Sequence, residues 1–188
     1  MKLSQLLQNV QVLKTAADLN TEITGVCYDS RKVKPGNLFV AVTGFNTDGN
    51  RFIPKALELG AAAVVTATEP AGQIPYVLVS SDRMALAQIG ANLYGHPAEK
   101  LCLIGVTGTN GKTSATLLLK QVLGAKVGLV GTMENLIGDQ VIPTERTTPE
   151  SLELQELFNK MVDANCTHAI MEVSSHALAL DRVGGLHY

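Results

Sequence analysis

Lys112 and Thr113 follow Gly111 at the point where an apolar run gives way to a helical pattern, in the segment Gly105-Val-Thr-Gly-Thr-Asn-Gly-Lys-Thr113. An apolar strand delivers the chain to a glycine-rich turn, and the turn opens a helix whose first N–H groups face the same spot. Backbone N–H groups and the helix dipole together cradle an anion. In such a loop the lysine reaches the terminal phosphates of a nucleotide as a point charge, and the threonine hydroxyl ligates Mg²⁺. The expected ligands are therefore ATP and Mg²⁺, held by Gly108, Thr109, Asn110, Gly111, Lys112, Thr113 and Ser114. The common spacing puts its first glycine five residues before the Gly-Lys pair, which is Val106 here, whereas this chain has glycines at 105, 108 and 111. A turn that merely connects strand to helix is the alternative. Gly-Lys-Thr at the helix start, in strand–turn–helix context, favours nucleotide binding.

Glu172 is the second group with chemistry to offer. It closes the apolar run Ala169-Ile-Met171, at the C-terminal end of a strand, where open α/β sheets place ligands. A carboxylate there either caps a neighbouring helix or joins Thr113 in holding a metal, and the following Ser174, Ser175 and His176 favour the metal. Lys112 and Glu172 are the catalytic candidates. His176 by itself is expected to be packed and hydrogen-bonded. Thr147 and Thr148 precede a helix, with Thr147 and Glu150 at capping-box spacing. Ser30 lies in Asp29-Ser-Arg31, a turn-favouring triplet. Arg182 is either a solvated charge or a fork for a carboxylate.

Alternating apolar runs and helical stretches position these residues. Strands are expected at Leu38–Val42, Ala62–Thr66, Tyr76–Val79, Leu101–Val106, Lys126–Val130 and Ala169–Val173, and helices at Arg51–Leu59, Asp82–Tyr94 and Lys112–Leu123. Asp82 is the expected N-cap of its helix. A further helix opens at Thr148-Pro149 with proline in first position, and Leu154, Leu157, Phe158, Met161 and Val162 share one of its faces. Residues 133–146 suit a loop or hairpin. Strand–helix alternation implies an α/β fold with parallel sheets. Gly95-His-Pro97 and the residues to Lys100 mark the expected boundary, giving domains 1–99 and 100–188. With three expected strands the second domain is short for a nucleotide-binding sheet, and truncation of a P-loop-type ATPase domain is expected.

Composition narrows the classes. Of 188 residues 46% are hydrophobic and 17% charged, with net charge −2 and no Trp. A basic face or base-stacking platform for nucleic acid is not expected. No run approaches the ~20 apolar residues of a membrane span. Cys27, Cys102 and Cys166 lack metal-ligand spacing and are expected as reduced, mostly buried thiols of a cytoplasmic protein.

The loop Thr107-Gly-Thr-Asn-Gly-Lys-Thr113 resembles that of the Mur ligases and folylpolyglutamate synthetases, in which the first glycine is displaced. Asp29-Ser-Arg-Lys-Val-Lys-Pro-Gly-Asn-Leu-Phe-Val-Ala41, with Gly44 and Asp48-Gly49, is similar to a UDP-binding N-terminal domain of that family. Thr147-Thr-Pro149 and Glu172-Val-Ser-Ser-His-Ala-Leu178 resemble the member that adds the third residue of the peptidoglycan stem. The resemblance spans Val26 to Tyr188. It implies an ATP-dependent amide-forming ligase that joins meso-diaminopimelate or L-lysine to UDP-MurNAc-L-Ala-D-Glu through an acyl phosphate. It further implies substrate contacts from Ser30, Phe45, Asn46, Thr47, Thr147, Thr148, Ser174 and Arg182, metal contacts from Thr113 and Glu172, and further metal ligands beyond Tyr188. Leu180 stands where the family often has Gln, and Asn135 is expected near the ATP phosphates. A monomer acting on small molecules, inactive as these 188 residues alone, is the expectation. A D-Ala-D-Ala-adding relative, a non-catalytic binding module and a generic P-loop ATPase are the alternatives.

Overall fold

The computed structural model describes residues 1–45, 47–144 and 146–188. They divide into two compact units, Met1–Asn92 and Leu93–Tyr188. The division falls inside a helix, a few residues ahead of the Gly95–Lys100 segment. Asn92 explains this, because its buried side chain donates to the carbonyls of Leu6 and Gln8 and ties most of that helix to the first unit.

The first unit runs α1 (Leu3–Leu6), β1 (Val12–Thr15), β2 (Gly25–Cys27), β3 (Asn37–Val40), α2 (Ile53–Glu58), β4 (Ala63–Thr66), β5 (Tyr76–Val79) and α3 (Asp82–Tyr94). Its sheet has the order β1-β5-β4-β3-β2. Strands β2 to β5 are parallel, and β1 joins β5 antiparallel. The buried runs of β3 and β4 were legible as apolar strings; β1 is exposed throughout and gave no such signal. The cap of α3 differs from expectation. Ser81 Oγ accepts from the Met84 N–H, while the Asp82 carboxylate is drawn away to accept from the Thr43 N–H at 2.9 Å.

The second unit runs β6 (Cys102–Val106), α4 (Lys112–Leu123), β7 (Val127–Val130), β8 (Asn135–Ile137), β9 (Gln140–Ile142), α5 (Ser151–Asp163), β10 (His168–Glu172) and α6 (Ser175–Ala179). The strand order is β6-β10-β7-β8-β9. The three expected strands form the parallel core, with β10 between β6 and β7. The sheet is mixed, because residues 135–142 form a hairpin that extends it antiparallel from β7. Gly138 supplies the positive φ of the hairpin turn.

Helix α5 begins at Ser151, later than Thr148-Pro149 suggested. Glu150 is its N-cap and Glu153 accepts from the Glu150 N–H, so the capping box is shifted three residues along the chain. Thr148 cannot enter the helix because its hydroxyl donates to the Glu172 carbonyl at 2.8 Å and the Ser174 N–H binds it in return. Leu154, Leu157, Phe158 and Met161 of α5 pack with Leu103, Ala169 and Met171 in the core, and Val162 lies at its margin. Gly128 of β7 lets the helix come close; a Cβ there would lie 2.2 Å from Met161 Sδ. All three cysteines are free thiols, Cys27 and Cys166 buried and Cys102 exposed on β6. Among the described residues no helix is long and apolar enough to cross a membrane.

Candidate functional site

Everything in the site hangs from strand ends. Val106 of β6 pairs with Glu172 of β10, so the loop leaves its strand at the level of the carboxylate. The loop turns on Gly108 (φ 142) and Gly111 (φ 80), conformations that side chains with a Cβ rarely adopt. Gly111 is the N-cap of α4 and provides no side-chain cap, so the first N–H groups of a twelve-residue helix remain open to the cleft. Lys112 folds back over the loop, its Nζ donating to the Gly108 carbonyl at 2.7 Å.

Glu172 is 1% exposed. Thr113 Oγ1 donates to its Oε2 at 3.1 Å, Thr132 Oγ1 reaches the same oxygen at 3.0 Å, and the Thr132 N–H donates to Oε1 at 3.0 Å. These partners are neutral donors, so among the described residues the buried carboxylate faces hydroxyls and an anion-binding loop and forms no ion pair with a cation. Thr113 and Glu172 offer hard oxygens on one side of the cleft, which suits Mg²⁺; that ion keeps waters and phosphate oxygens for its other positions. Among the described residues no cluster of three or more His, Cys, Asp and Glu offers a metal cage.

The cleft, of roughly 670 Å³, is lined by residues 107–113 together with Thr132, Thr147, Glu172, Ser174, Ser175 and His176. The expected Gly108, Thr109, Asn110, Gly111, Lys112, Thr113, Glu172, Thr147 and Ser174 thus meet in one place. Ser114 is exposed on the first turn of α4 and is not part of the lining. Thr148 is buried behind the wall. Ser174 caps α6, its Oγ accepting from the Ala177 N–H at 3.1 Å. His176 is exposed on α6 at the cleft rim, in contrast to the packed residue expected. Arg182 donates through Nη1 to the Thr148 carbonyl, and its Nε lies 2.9 Å from Glu150 Oε1 without hydrogen-bond geometry. Arg146 shares that carboxylate. Asn135 does not reach the cleft: it is buried on β8, and its Oδ1 accepts from the Gly131 N–H at 3.3 Å. Thr132 is the residue that sequence reasoning missed. A lone threonine after a strand carries no pattern.

The remaining candidates belong to the first unit. Ser30 is buried at the start of a short 3₁₀ turn that Asp29 caps. Phe45 and Thr47 are exposed in the turn after β3, closed by the Gly44 N–H donating to the Thr47 carbonyl. Asn46 lies outside the described residues. Arg31 grips both oxygens of Asp29 at 2.9 and 2.8 Å and holds that carboxyl below its ordinary pKa. A depressed folded pKa contributes stability above the unfolded value of about 3.9, lost as pH falls through the folded one. Asp29→Asn should therefore cost a small, constant stability at neutral pH that disappears in acid. Chemical denaturation across pH checks this; a loss that persists in acid would assign Asp29 a purely steric role. The cost stays small because the Arg31 side chain is 86% exposed.

Comparison with known proteins now bears on this arrangement. The profile of the Mur ligase middle domain matches residues 106–188, and that of the Mur ligase family catalytic domain matches residues 22–94. The chain belongs to the Mur ligase family. Among curated Mur ligases, the UDP-N-acetylmuramoyl-L-alanyl-D-glutamate–2,6-diaminopimelate ligase of Caldanaerobacter subterraneus subsp. tengcongensis is 53% identical over 97% of this chain. That of Listeria monocytogenes serotype 4b is 44% identical over the whole chain. The chain spans 39% of the length of each. A solved 2,6-diaminopimelate ligase superposes with TM-score 0.76 at 25% identity, covering 98% of this chain and 38% of that one. A MurF ligase from Thermotoga maritima in complex with ADP gives TM-score 0.53 at 26% identity, over 82% of this chain and 32% of its own.

Proposed function

We propose that this chain supplies the nucleotide-sugar-binding and ATP-binding parts of the cytoplasmic ligase that joins 2,6-diaminopimelate to UDP-MurNAc-L-Ala-D-Glu. The observation that carries the reading is the buried Glu172, bonded to Thr113 of the phosphate loop and backed by Thr132 and Thr147. The names of relatives 44–53% identical to it support the choice of amine over L-lysine. In this reading residues 1–92 hold the UDP-sugar through Ser30, Phe45, Asn46 and Thr47, and the second unit holds ATP with Mg²⁺.

The reaction brings a carboxylate against a triphosphate, and two anions repel unless cations lie between them. Lys112 provides one cation, and Thr113 with Glu172 would hold Mg²⁺, which supplies further positive charge when bound. The open N–H groups of α4 fix the phosphates. Thr147 and Ser174 face the same cleft and would bind the sugar-peptide substrate, with the Thr148–Arg182 bond fixing the wall behind them. Arg182 then acts on the acidic peptide only through an electrostatic field already shared with Glu150. The net charge of −2 offers no general basic face for nucleic acid or a membrane surface.

Calorimetric titration distinguishes the readings. UDP-MurNAc-L-Ala-D-Glu should bind more tightly than the corresponding tripeptide, and ATP with diaminopimelate and the dipeptide should yield no amide from these 188 residues. Preference for the tripeptide would favour the D-Ala-D-Ala-adding relative, and amide formation would show that the residues described suffice for turnover.

A further inference from the structure

Glu172 could present its oxygens to a metal in many rotations, yet one residue holds both of them. The Thr132 N–H donates to Oε1 at 3.0 Å and the Thr132 hydroxyl to Oε2 at 3.0 Å. The backbone reaches this close because residue 131 is glycine: a Cβ there would lie 3.0 Å from Glu172 Oε1. Asn135 fixes the same stretch from behind by accepting from the Gly131 N–H. The clamp leaves Oε2 turned toward Thr113.

The same hydroxyl lies 3.1 Å from Thr147 Oγ1. A hydroxyl has one proton and a carboxylate only accepts. With the Thr132 proton committed to Glu172, the Thr147 hydroxyl donates to Thr132, giving the chain Thr147 to Thr132 to Glu172. Thr147 lies in the stretch that leads into α5 and lines the same cleft as the loop carrying Lys112.

We infer that Thr132 is a positioning residue that orients Glu172 toward the metal and links it to Thr147 on the substrate wall. This rests on the reading of Thr113 and Glu172 as a metal site. Partners that orient a metal-binding side chain typically control affinity by about 10- to 100-fold.

The test titrates ADP into the chain with and without Mn²⁺, which takes the same oxygen ligands as Mg²⁺. Metal-free ADP affinity reports the intact loop and fold, and the gain on adding Mn²⁺ reports the metal site. Thr132→Val keeps the backbone N–H bond and removes only the hydroxyl. Its Mn²⁺-dependent gain should fall about tenfold or more with metal-free binding unchanged, Thr132→Ser should retain the gain, and Thr147→Val should lose less of it than Thr132→Val. Glu172→Gln should abolish the gain. A full gain in Thr132→Val with none in Glu172→Gln would overturn the positioning role while leaving the metal site standing. A full gain in Thr147→Val would overturn the link, and a full gain in Glu172→Gln would overturn the metal-site reading itself.

Discussion

Replacement of Lys112 by alanine should weaken ATP binding by roughly 10- to 150-fold while leaving the fold intact, since a hydrogen bond to a charged group contributes about 1.5–3 kcal/mol. The side chain is half-exposed and bonds the Gly108 carbonyl, so its loss removes little packing. What it removes is the cation nearest the point where the chain's own N–H groups gather an anion. Neither Arg146 nor Arg182 replaces it, because both are committed to Glu150. Lys112→Arg should recover only part of the loss, because a planar fork does not fold over the loop as a compact ammonium does. Calorimetry with ATP and thermal unfolding of the same samples check both halves. An unchanged affinity for Lys112→Ala would remove the loop from nucleotide binding altogether.

The largest effects on stability are expected where Gly128 meets Met161. In an open strand, glycine to alanine stabilises by roughly 0.4–1 kcal/mol, because the unfolded chain loses freedom. Here the new methyl group would meet Met161 Sδ at 2.2 Å and Cγ at 2.7 Å, and Met161 is fully buried on the face of α5 that covers the sheet. Overpacking of this kind costs about 1–3 kcal/mol, so the clash wins. Met161→Ala alone should cost about 2–5 kcal/mol through the cavity it leaves. The double variant should cost less than the sum, since each change relieves the other, and a double-mutant cycle in urea measures that coupling. Additive costs would mean that α5 shifts off β7 without help from residue 161.

Much of this was legible beforehand. Gly111-Lys-Thr113 located the loop and the start of α4, and the apolar string ending in Glu172 located the facing carboxylate, because both patterns are local. What local patterns could not supply was pairing. β1 is exposed on all four residues and finds its place only against β5. Thr148 carries every sign of a helix start, yet bonds to Glu172 and Ser174, 24 and 26 residues away, hold it outside the helix. Asp82 fails as a cap for the same reason, a partner 39 residues distant. Thr132 acquires meaning only when β7 and β10 lie side by side.

The register between β6, β10 and β7 sets the level at which the site is assembled. Glu172 is level with Val106, and Met171 with Val130, so three strands deliver the phosphate loop, the carboxylate and Thr132 at one height. Successive residues of a strand point to opposite faces about 3.3 Å apart. One residue added or removed within β10 would therefore keep its composition and apolar character while sending the carboxylate to the other side of the sheet. Length is therefore as strict a requirement in this strand as residue identity: a single apolar residue inserted ahead of Glu172 should abolish the Mn²⁺-dependent gain in ADP affinity although no side chain of the site has been changed.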